Sequence, residues 1–114
     1  MEIISGGVTA PIGFLAAGMH AGVRKNKKKK DMALLDSKCP AKTAGVFTQN
    51  VVKAAPVMWD KALCDDIGLC QALVVNSGVA NACTGEAGDV DVAHMAELVA
   101  AELQVPVDQV AVAS

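Results

Sequence analysis

The sequence has few large side chains. Aromatic residues make up 3% of its 114 residues, with no tyrosine and a single tryptophan, Trp59. Alanine (20 residues) and valine (16 residues) supply much of the 53% hydrophobic content. Burial of apolar surface contributes about 25 cal/mol per Å², so each small side chain adds little to stability. A chain of this length also buries a limited share of its surface. The composition therefore predicts a thin core that depends on a further segment or chain.

Long hydrophobic runs are missing as well. The apolar stretch at residues 8–19 contains Pro11 and Gly13, and it is shorter than the roughly 20 residues that span a bilayer. The start of the chain, Met1 and Glu2, lacks the basic residues of a secretory signal. We therefore expect a soluble protein that makes no membrane contact.

The familiar cysteine and metal patterns are absent too. The four cysteines are separated by 25, 6 and 13 positions, which matches neither a redox pair nor a zinc site: Cys39, Cys64, Cys70 and Cys83. Two acidic pairs, Asp65 with Asp66 and Asp89 with Asp91, have no histidine or third carboxylate at ligand spacing. We expect reduced thiols, a cytoplasmic location, no metal and no cofactor.

Positive charge is concentrated in one place. Six of the ten basic residues form a basic cluster: Arg24, Lys25, Lys27, Lys28, Lys29 and Lys30. The rest of the sequence contains four basic and twelve acidic residues. Such a cluster can bind nucleic acid or an acidic membrane surface, but no aromatic residues are interleaved with it. A solvated turn explains the cluster as well, so we expect no nucleic-acid partner.

The first half of the chain predicts strands. Two short apolar runs, GFLAAGMHAGVRK (residues 13–25) and DMALLDSKCPAKTAGVFTQN (residues 31–50), flank the basic cluster, as in strands joined by a turn. A second turn is expected at residues 37–42 around Pro40, followed by a separate strand at residues 42–50. The stretch KAAPVMWDKALCDD then predicts a strand or loop that passes into a short helix closed by Gly68.

In the second half of the chain, the spacing of the apolar residues changes to that of a helix. CQALVVNSG predicts a buried strand, and after Gly85 the apolar residues follow a helical repeat on one face: Val92, Met95, Ala96, Val99 and Leu103. Pro106 is expected to end this helix, and QVAVAS to begin another strand. Strands followed by a strand–helix–strand unit predict a mixed α/β (α+β) layered fold without an internal domain boundary in residues 1–114.

The stretch NSGVANACTG, residues 76–85, joins the buried strand to the helix and contains only small residues. A glycine-rich loop that enters a helix N-terminus presents unpaired N–H groups and a positive dipole end. Thr84 adds a hydroxyl close to the N-cap position. Such a site can hold an anion or the transient oxyanion of acyl transfer. The alternative is a capped loop whose Asn and Ser side chains satisfy their own backbone.

This stretch resembles the signature Asn-Ser-Gly-Asn-Ala-Asn-Ala-Cys-Thr-Gly of the glutamate N-acetyltransferase/ornithine acetyltransferase family. Four further segments are similar to family segments in the same order: VTAPIGFLAAGMHAGVRK, AGVFTQNVVKAAPV, GEAGDVDVAHMAELVA and VAVAS. The resemblance covers nearly the whole chain. It departs at Val79, where the family commonly has asparagine, and at the unusually basic turn.

The resemblance implies an acetyl transfer from N2-acetylornithine to glutamate in arginine biosynthesis, with acetyl-CoA as a donor in some members. It implies an acyl-threonine intermediate whose nucleophile is created by self-cleavage beyond Ser114, so the chain alone is expected to be inactive. The oxyanion hole of the family falls on the hydroxyl of Thr84 and the backbone N–H of Gly85. The implied fold is an α-β-β-α sandwich built by α and β chains in an α2β2 heterotetramer, of which residues 1–114 are the N-terminal portion of the α chain.

Two rival interpretations concern this region. Cys83 could be the nucleophile of a thiol enzyme, because a helix N-terminus lowers a thiol pKa. His94 lies eleven residues further along the same helix, too far to serve as its base, so we expect Cys83 to be a small buried filler and His94 a surface residue. The second rival is a non-catalytic α/β module, or an enzyme remnant, that binds an anion through the loop.

Overall fold

The computed structural model describes residues 5–114. Met1 and Glu2, on which the argument against a secretory signal rests, lie outside these residues. Four strands and two α-helices make up the described part: β1 (Phe14–Met19), β2 (Met32–Lys42), α1 (Ala55–Ala62), β3 (Leu69–Asn76), α2 (Glu86–Leu103) and β4 (Val110–Ala113). A π-helical turn, Leu63–Ile67, extends α1, and a 3-10 turn, Val107–Gln109, precedes β4. Neither α-helix of residues 5–114 has the length and apolar character needed to cross a bilayer.

The strands form one sheet in the order β1-β2-β3-β4. The first three are antiparallel neighbours, and β3 pairs with β4 in parallel. The parallel pair is joined through α2, as a crossover connection requires. Mixed α+β architecture is thus confirmed, with a helical layer against one sheet.

The core lies between this sheet and α2. The buried residues of this cluster are all alanine or valine: Ala72, Val74, Val92, Ala96, Ala100, Val110 and Val112. Met95, Val99 and Leu103 are partly buried against it, so the predicted apolar face of the helix is confirmed. Alternate residues of a strand point to opposite faces, and the helices cover only the face that carries Ala72 and Val74.

Helix α1 holds the edge strand β4 through two side chains. The indole Nε1 of Trp59 donates to the carbonyl of Val110 at 2.8 Å, and Asp60 Oδ1 accepts from the N–H of Val112 at 2.9 Å. Burial raises the pKa of the Asp60 carboxyl, although the bond from Val112 opposes this shift. The one tryptophan therefore serves a position where its N–H has a partner.

The turn predicted at residues 37–42 is wrong. Strand β2 continues to Lys42, with a register shift against β3 between Asp36 and Ala41. Pro40 lies within this irregular stretch, where a missing N–H is tolerated. The sequence that predicted a turn is therefore an irregular stretch, with a shift of register, inside one long strand.

The separate strand predicted at residues 42–50 is also wrong. After Lys42 the described chain has no strand until β3, and Val46 and Val51 are 101% and 93% exposed. A strand exists only where a neighbour pairs with its backbone, and no described strand lies beside this segment. Helix α1 follows it as expected, and Gly68, in the left-handed conformation, ends the π-helical turn.

Helix α2 ends earlier than Pro106 suggests. Its last residue is Leu103, and Gln104 adopts the left-handed conformation with φ of 57°. The N–H of Val105 then bonds back to the carbonyl of Ala100 at 3.0 Å. This pattern resembles a helix C-terminal cap, so Pro106 follows the stop instead of causing it.

Two loops leave the same end of the sheet, because Met32 of β2 pairs with Asn76 of β3. The first, residues 20–31, joins β1 to β2 and contains the basic cluster; we call it the basic loop. The second, residues 77–85, joins β3 to α2; we call it the glycine-rich loop. Their contact positions the site described next.

Candidate functional site

The glycine-rich loop enters α2 at Gly85, which is the N-cap residue. Its φ of 63° and ψ of −154° are outside the helical range, and no side chain caps the helix. The carbonyl of Gly85 accepts from the N–H groups of Gly88 (2.9 Å) and Asp89 (3.4 Å). Thr84, expected close to the N-cap, is one residue before it. Thr84 and Gly85 are therefore adjacent and exposed at the start of the helix.

The hydroxyl of Thr84 bonds to a side chain and not to the helix backbone. It donates to Oδ1 of Asn81. The amide nitrogen of Asn81 in turn donates to the carbonyl of Gly88 in the first turn of α2, at 2.7 Å. An N-cap side chain would instead accept from the N–H of the second or third helical residue, so capping does not explain Thr84.

A depression of about 270 Å³ opens beside this junction. Its lining combines the loop with the helix and the ends of β3 and β4: Asn76, Val79, Ala80, Asn81, Thr84, Asp91, Met95 and Ser114. Its hydroxyls and amide side chains suit a polar ligand, whereas Gly85 and the first turn of α2 are not among the lining residues. The carboxylate of Asp91 at the rim adds a negative charge that favours a ligand with a cationic part.

Ser114 and Asn76 clamp the loop between two strand ends. The Ser114 hydroxyl donates to the carbonyl of Val79 at 3.2 Å and accepts from the N–H of Asn81 at 3.0 Å. Asn76 Nδ2 donates to the same carbonyl at 3.1 Å. Because β3 and β4 are parallel neighbours, residues almost forty positions apart meet here. The sequence analysis assigned no role to either residue. Asn76 is the first residue of the motif, whereas no sequence pattern connects Ser114 with the motif.

Asp31 organises the basic loop from within. Its side chain is fully buried, and it accepts from the N–H groups of Ala21 (2.6 Å) and Arg24 (2.8 Å). His20 Nδ1 lies 2.9 Å from Asp31 Oδ2. The bond from the Arg24 N–H lowers the pKa of the Asp31 carboxyl most, with help from Ala21 and His20 and against the effect of burial. The sequence alone gave no sign of this carboxylate.

The two loops are joined by Arg24. Its Nε donates to both the carbonyl and the hydroxyl of Ser77 at 3.3 Å, and the N–H of Ser77 donates to the carbonyl of Asp31 at 2.9 Å. Gly78, with φ of 115°, lies under the arginine, where a Cβ would come within 2.6 Å of Arg24 Cγ. Arg24 is therefore an anchor and not part of a solvated turn, whereas Lys25 and the four lysines 27–30 are exposed as expected.

Of the two rival residues, Cys83 differs from its prediction and His94 agrees with it. Cys83 is exposed, with φ of 58°, so the prediction of a buried filler is wrong: the loop turns the thiol outward in a left-handed conformation. His94 is exposed, as expected. Residues 5–114 contain no group of three or more His, Cys, Asp or Glu side chains that could hold a metal ion.

The fold and the loop together define an α+β domain with a polar site at a strand-to-helix junction. A match to the ArgJ family extends over residues 15–114, and the chain belongs to this family. Arginine biosynthesis bifunctional protein ArgJ of Symbiobacterium thermophilum is 51% identical over 115 residues, and that of Staphylococcus epidermidis is 47% identical over 114 residues. Both alignments include the whole chain and 28% of the relative, so the chain spans little more than a quarter of their length.

Solved structures agree with this assignment. The ArgJ crystal structure from Bacillus halodurans superimposes with a TM-score of 0.88 at 40% identity, over 94% of this chain and 55% of the other. The ornithine acetyltransferase of Mycobacterium tuberculosis, solved with ornithine, gives a TM-score of 0.87 at 45% identity, over 95% of this chain and 59% of the other. The resemblance in sequence is thus confirmed, and so is the resemblance in fold.

Proposed function

We propose that residues 1–114 are the N-terminal portion of the α chain of an acetyltransferase in arginine biosynthesis. The complete enzyme moves an acetyl group from N2-acetylornithine to glutamate, with acetyl-CoA as a candidate second donor. The observation that carries the proposal is ArgJ membership over residues 15–114, combined with a Thr84–Gly85 pair at the start of α2. The ornithine-bound structure of the relative supports the substrate class.

In this proposal Thr84 and Gly85 form the oxyanion hole. Acyl transfer passes through a tetrahedral intermediate, and donors aimed at its oxygen stabilise the developing charge. The N–H of Gly85 donates no hydrogen bond within residues 5–114, and the Thr84 hydroxyl bonds only a neutral amide oxygen. Both donors can therefore serve an incoming oxyanion without disrupting the helix.

The nucleophile of the proposed reaction is a threonine that lies outside this chain. It becomes an N-terminus by self-cleavage, takes the acetyl group as an ester and then passes it to the amine of glutamate. Splitting the transfer into two covalent steps is the usual logic of nucleophilic catalysis. The residues that bind the rest of each substrate also lie outside residues 1–114.

The partners are the remainder of the α chain and the β chain, in a cytoplasmic α2β2 heterotetramer. The open face of the sheet supports this proposal. It carries a depression of about 390 Å³ whose lining includes Phe14, Leu35 and Ala111. In the segments outside the strands, Ile12, Val46 and Val51 are almost completely exposed. An apolar depression together with exposed apolar side chains is typical of an interaction site.

The test begins with the reading frame beyond Ser114. We expect it to continue through an Ala-Thr self-cleavage site, and the purified complete protein to separate into two chains by mass spectrometry and to exchange acetyl between acetylornithine and glutamate. The 114-residue chain alone is expected to transfer none. A stop codon directly after Ser114 would instead support a remnant, and exchange by the 114-residue chain would contradict the position of the nucleophile.

A further inference from the structure

The sheet has two edges, and helix α1 closes one of them. At the β4 edge, Trp59 Nε1 donates to the carbonyl of Val110, and Asp60 Oδ1 accepts from the N–H of Val112. One residue of a neighbouring strand would make the same two bonds through its N–H and C=O groups. Trp59 and Asp60 therefore take the place of a strand, and β4 is also short, with four residues. This edge is protected against pairing with a further strand.

The opposite edge, at β1, is open within residues 5–114. The carbonyl of Gly13 accepts from the N–H of Lys38 at 2.9 Å. Along an antiparallel strand, residues bonded to the neighbour alternate with residues whose N–H and C=O groups face away from it. The even-numbered residues Ala16 and Gly18 therefore face away from β2. In the described part of the chain, no turn, loop or helix backbone bonds these outward groups.

Strand β1 also lacks the features that protect an exposed edge. Natural edge strands commonly carry charges, a proline or a bulge. The six residues FLAAGM contain no charge and no proline, and all six pair with β2 in an uninterrupted register. Leu15 and Met19 are 56% and 60% exposed. A regular, uncharged and apolar edge of this kind is suited to pairing with a further strand.

We propose that the β1 edge binds an extended segment of the same protein, supplied by the chain that continues beyond Ser114, as a further strand of the sheet. The inference rests on the proposed function, because that function requires the chain to continue. The 114 residues span 28% of the length of the relatives from Staphylococcus epidermidis and Symbiobacterium thermophilum. Most of a protein of that length is therefore available to supply the strand.

A second copy of residues 1–114 is a poorer fit to this edge. Six residues of strand are about 20 Å long, and pairing over that length offers little contact beside the roughly 1,200–2,000 Å² of a stable interface between separate proteins. A segment of the same chain needs no such area, because the covalent connection raises its effective concentration during folding. Phe14 of β1 also lines the depression on the open face, so one continuous part of the protein can cover both the face and the edge.

Amide hydrogen exchange in the complete protein tests the proposal within one strand. If a further strand pairs with β1, the N–H groups of Ala16 and Gly18 are expected to exchange within about tenfold of the rates of Leu15 and Ala17, since all four are then bonded in the sheet. An open edge predicts fast exchange at Ala16 and Gly18 and slow exchange at Leu15 and Ala17. This alternation, measured residue by residue by NMR, would overturn the proposal.

Ala16→Pro in the complete protein removes the outward N–H group. On an edge that faces solvent, proline is tolerated at such a position, so an unchanged melting temperature would overturn the proposal. We expect a fall of at least about 2 °C, because the bond to the added strand is lost. Ala16→Ser is the matched control, since it keeps the N–H group, and it is expected to melt close to wild type. A fall as large for Ala16→Ser would also contradict the proposal, and if Ala16→Pro does not fold, the exchange measurement on wild type decides.

A crystal structure of the complete protein identifies the occupant of the edge. We expect a strand from beyond Ser114 whose backbone bonds to Ala16 and Gly18. The β1 strand of a second copy, residues 1–4 or solvent at this edge would each overturn the proposal. Acetyl exchange between acetylornithine and glutamate tests the proposed function separately. An active protein with an open β1 edge would contradict this inference alone, and an inactive protein with a paired edge would contradict the proposed function alone.

Discussion

The two loops that leave the same end of the sheet are held by different chemistry. The basic loop is organised around the buried carboxylate of Asp31, which binds two backbone N–H groups and lies against His20. The glycine-rich loop contains no charged side chain. It is held by the side-chain amides of Asn76 and Asn81 and by the hydroxyl of Ser114. Arg24 connects the two through Ser77.

Under the proposed function, the basic loop is the supporting loop and the glycine-rich loop is the one that binds the oxyanion. A buried charge fixes a backbone firmly, but it responds to pH and would disturb a neighbouring oxyanion. Neutral groups hold a loop with weaker bonds, and they leave its donors available to a ligand. The charged anchor therefore lies in the adjacent loop, while the loop that carries Thr84 and Gly85 stays neutral. Variants in each loop are expected to affect different quantities.

The largest effect is expected from Thr84→Ala in the complete enzyme. Losing one oxyanion donor typically costs on the order of 10²–10³ in rate, or roughly 3–4 kcal/mol. The loss should fall on kcat with little change in KM, because the bond strengthens only in the transition state. Thr84→Ser keeps the hydroxyl and is expected to retain much of the activity. Measured kcat, KM and melting temperature for both variants decide the matter.

A purely structural threonine would give the opposite result. It predicts that Thr84→Ala loses about 1 kcal/mol of stability, as for a removed helix cap, with near-normal turnover. A stable and fully active Thr84→Ala variant would exclude any oxyanion role for the side chain. Gly85 donates through its backbone, so no side-chain deletion tests it directly.

Local patterns predicted most of the elements but not the contacts between them. The helical repeat from Val92 to Leu103 and the buried strand before the motif depend on neighbours in sequence, and both are confirmed. The composition of residues 42–50 favours a strand. The segment forms none, because a strand also needs a neighbouring strand to pair with its backbone. The resemblance to the family predicted an oxyanion hole at Thr84 and Gly85, and this stays a prediction.

The supporting residues could not be predicted in this way. Asp31 gains its role from N–H groups up to ten positions away, Arg24 from Ser77 and Ser114 from Asn81. Each contact depends on the sheet bringing distant ends together. A sequence does not distinguish a buried aspartate from an exposed one, because burial depends on how the elements pack.

The next largest effect is expected from Asp31→Asn, and it concerns stability. Asparagine has nearly the same shape, but its amide nitrogen faces a backbone N–H where the carboxylate had an acceptor, so a buried donor loses its partner. The melting temperature should fall clearly at pH 7. Asp36→Asn, in which a partly buried aspartate of β2 is changed, provides the comparison and should have a smaller effect.

The same variant tests the pH dependence. The folded-state pKa of Asp31 lies below its ordinary value of 3.8, so its stabilisation is present above that value and is lost as the pH falls through the folded pKa. Asp60 has a raised pKa, so the cost of burying its charge is relieved on acidification. The gap in melting temperature between wild type and Asp31→Asn should therefore narrow in acid. A gap that stays constant would contradict a charged Asp31 anchor.

A smaller effect is expected from Arg24→Ala, which cuts the link between the loops. Its two bonds to Ser77 are long, and the side chain is partly exposed, so we expect a loss of roughly 1–2 kcal/mol in the free energy of unfolding. Urea titration of Arg24→Ala against Lys25→Ala, an exposed neighbour, measures the difference. Equal stabilities of these two variants would show that the arginine anchors nothing.

The smallest effect is expected from changing the four lysines 27–30 to serine while keeping Arg24. All four are exposed, and exposed charges typically contribute between about 0 and 1 kcal/mol. The anchor at Asp31 is made by the backbone of Ala21 and Arg24, so it does not depend on these side chains. Melting temperature and kcat of the complete enzyme are therefore expected to stay within error. Binding to duplex DNA with a steep salt dependence, present in wild type and lost in this variant, would instead show that the cluster contacts phosphates.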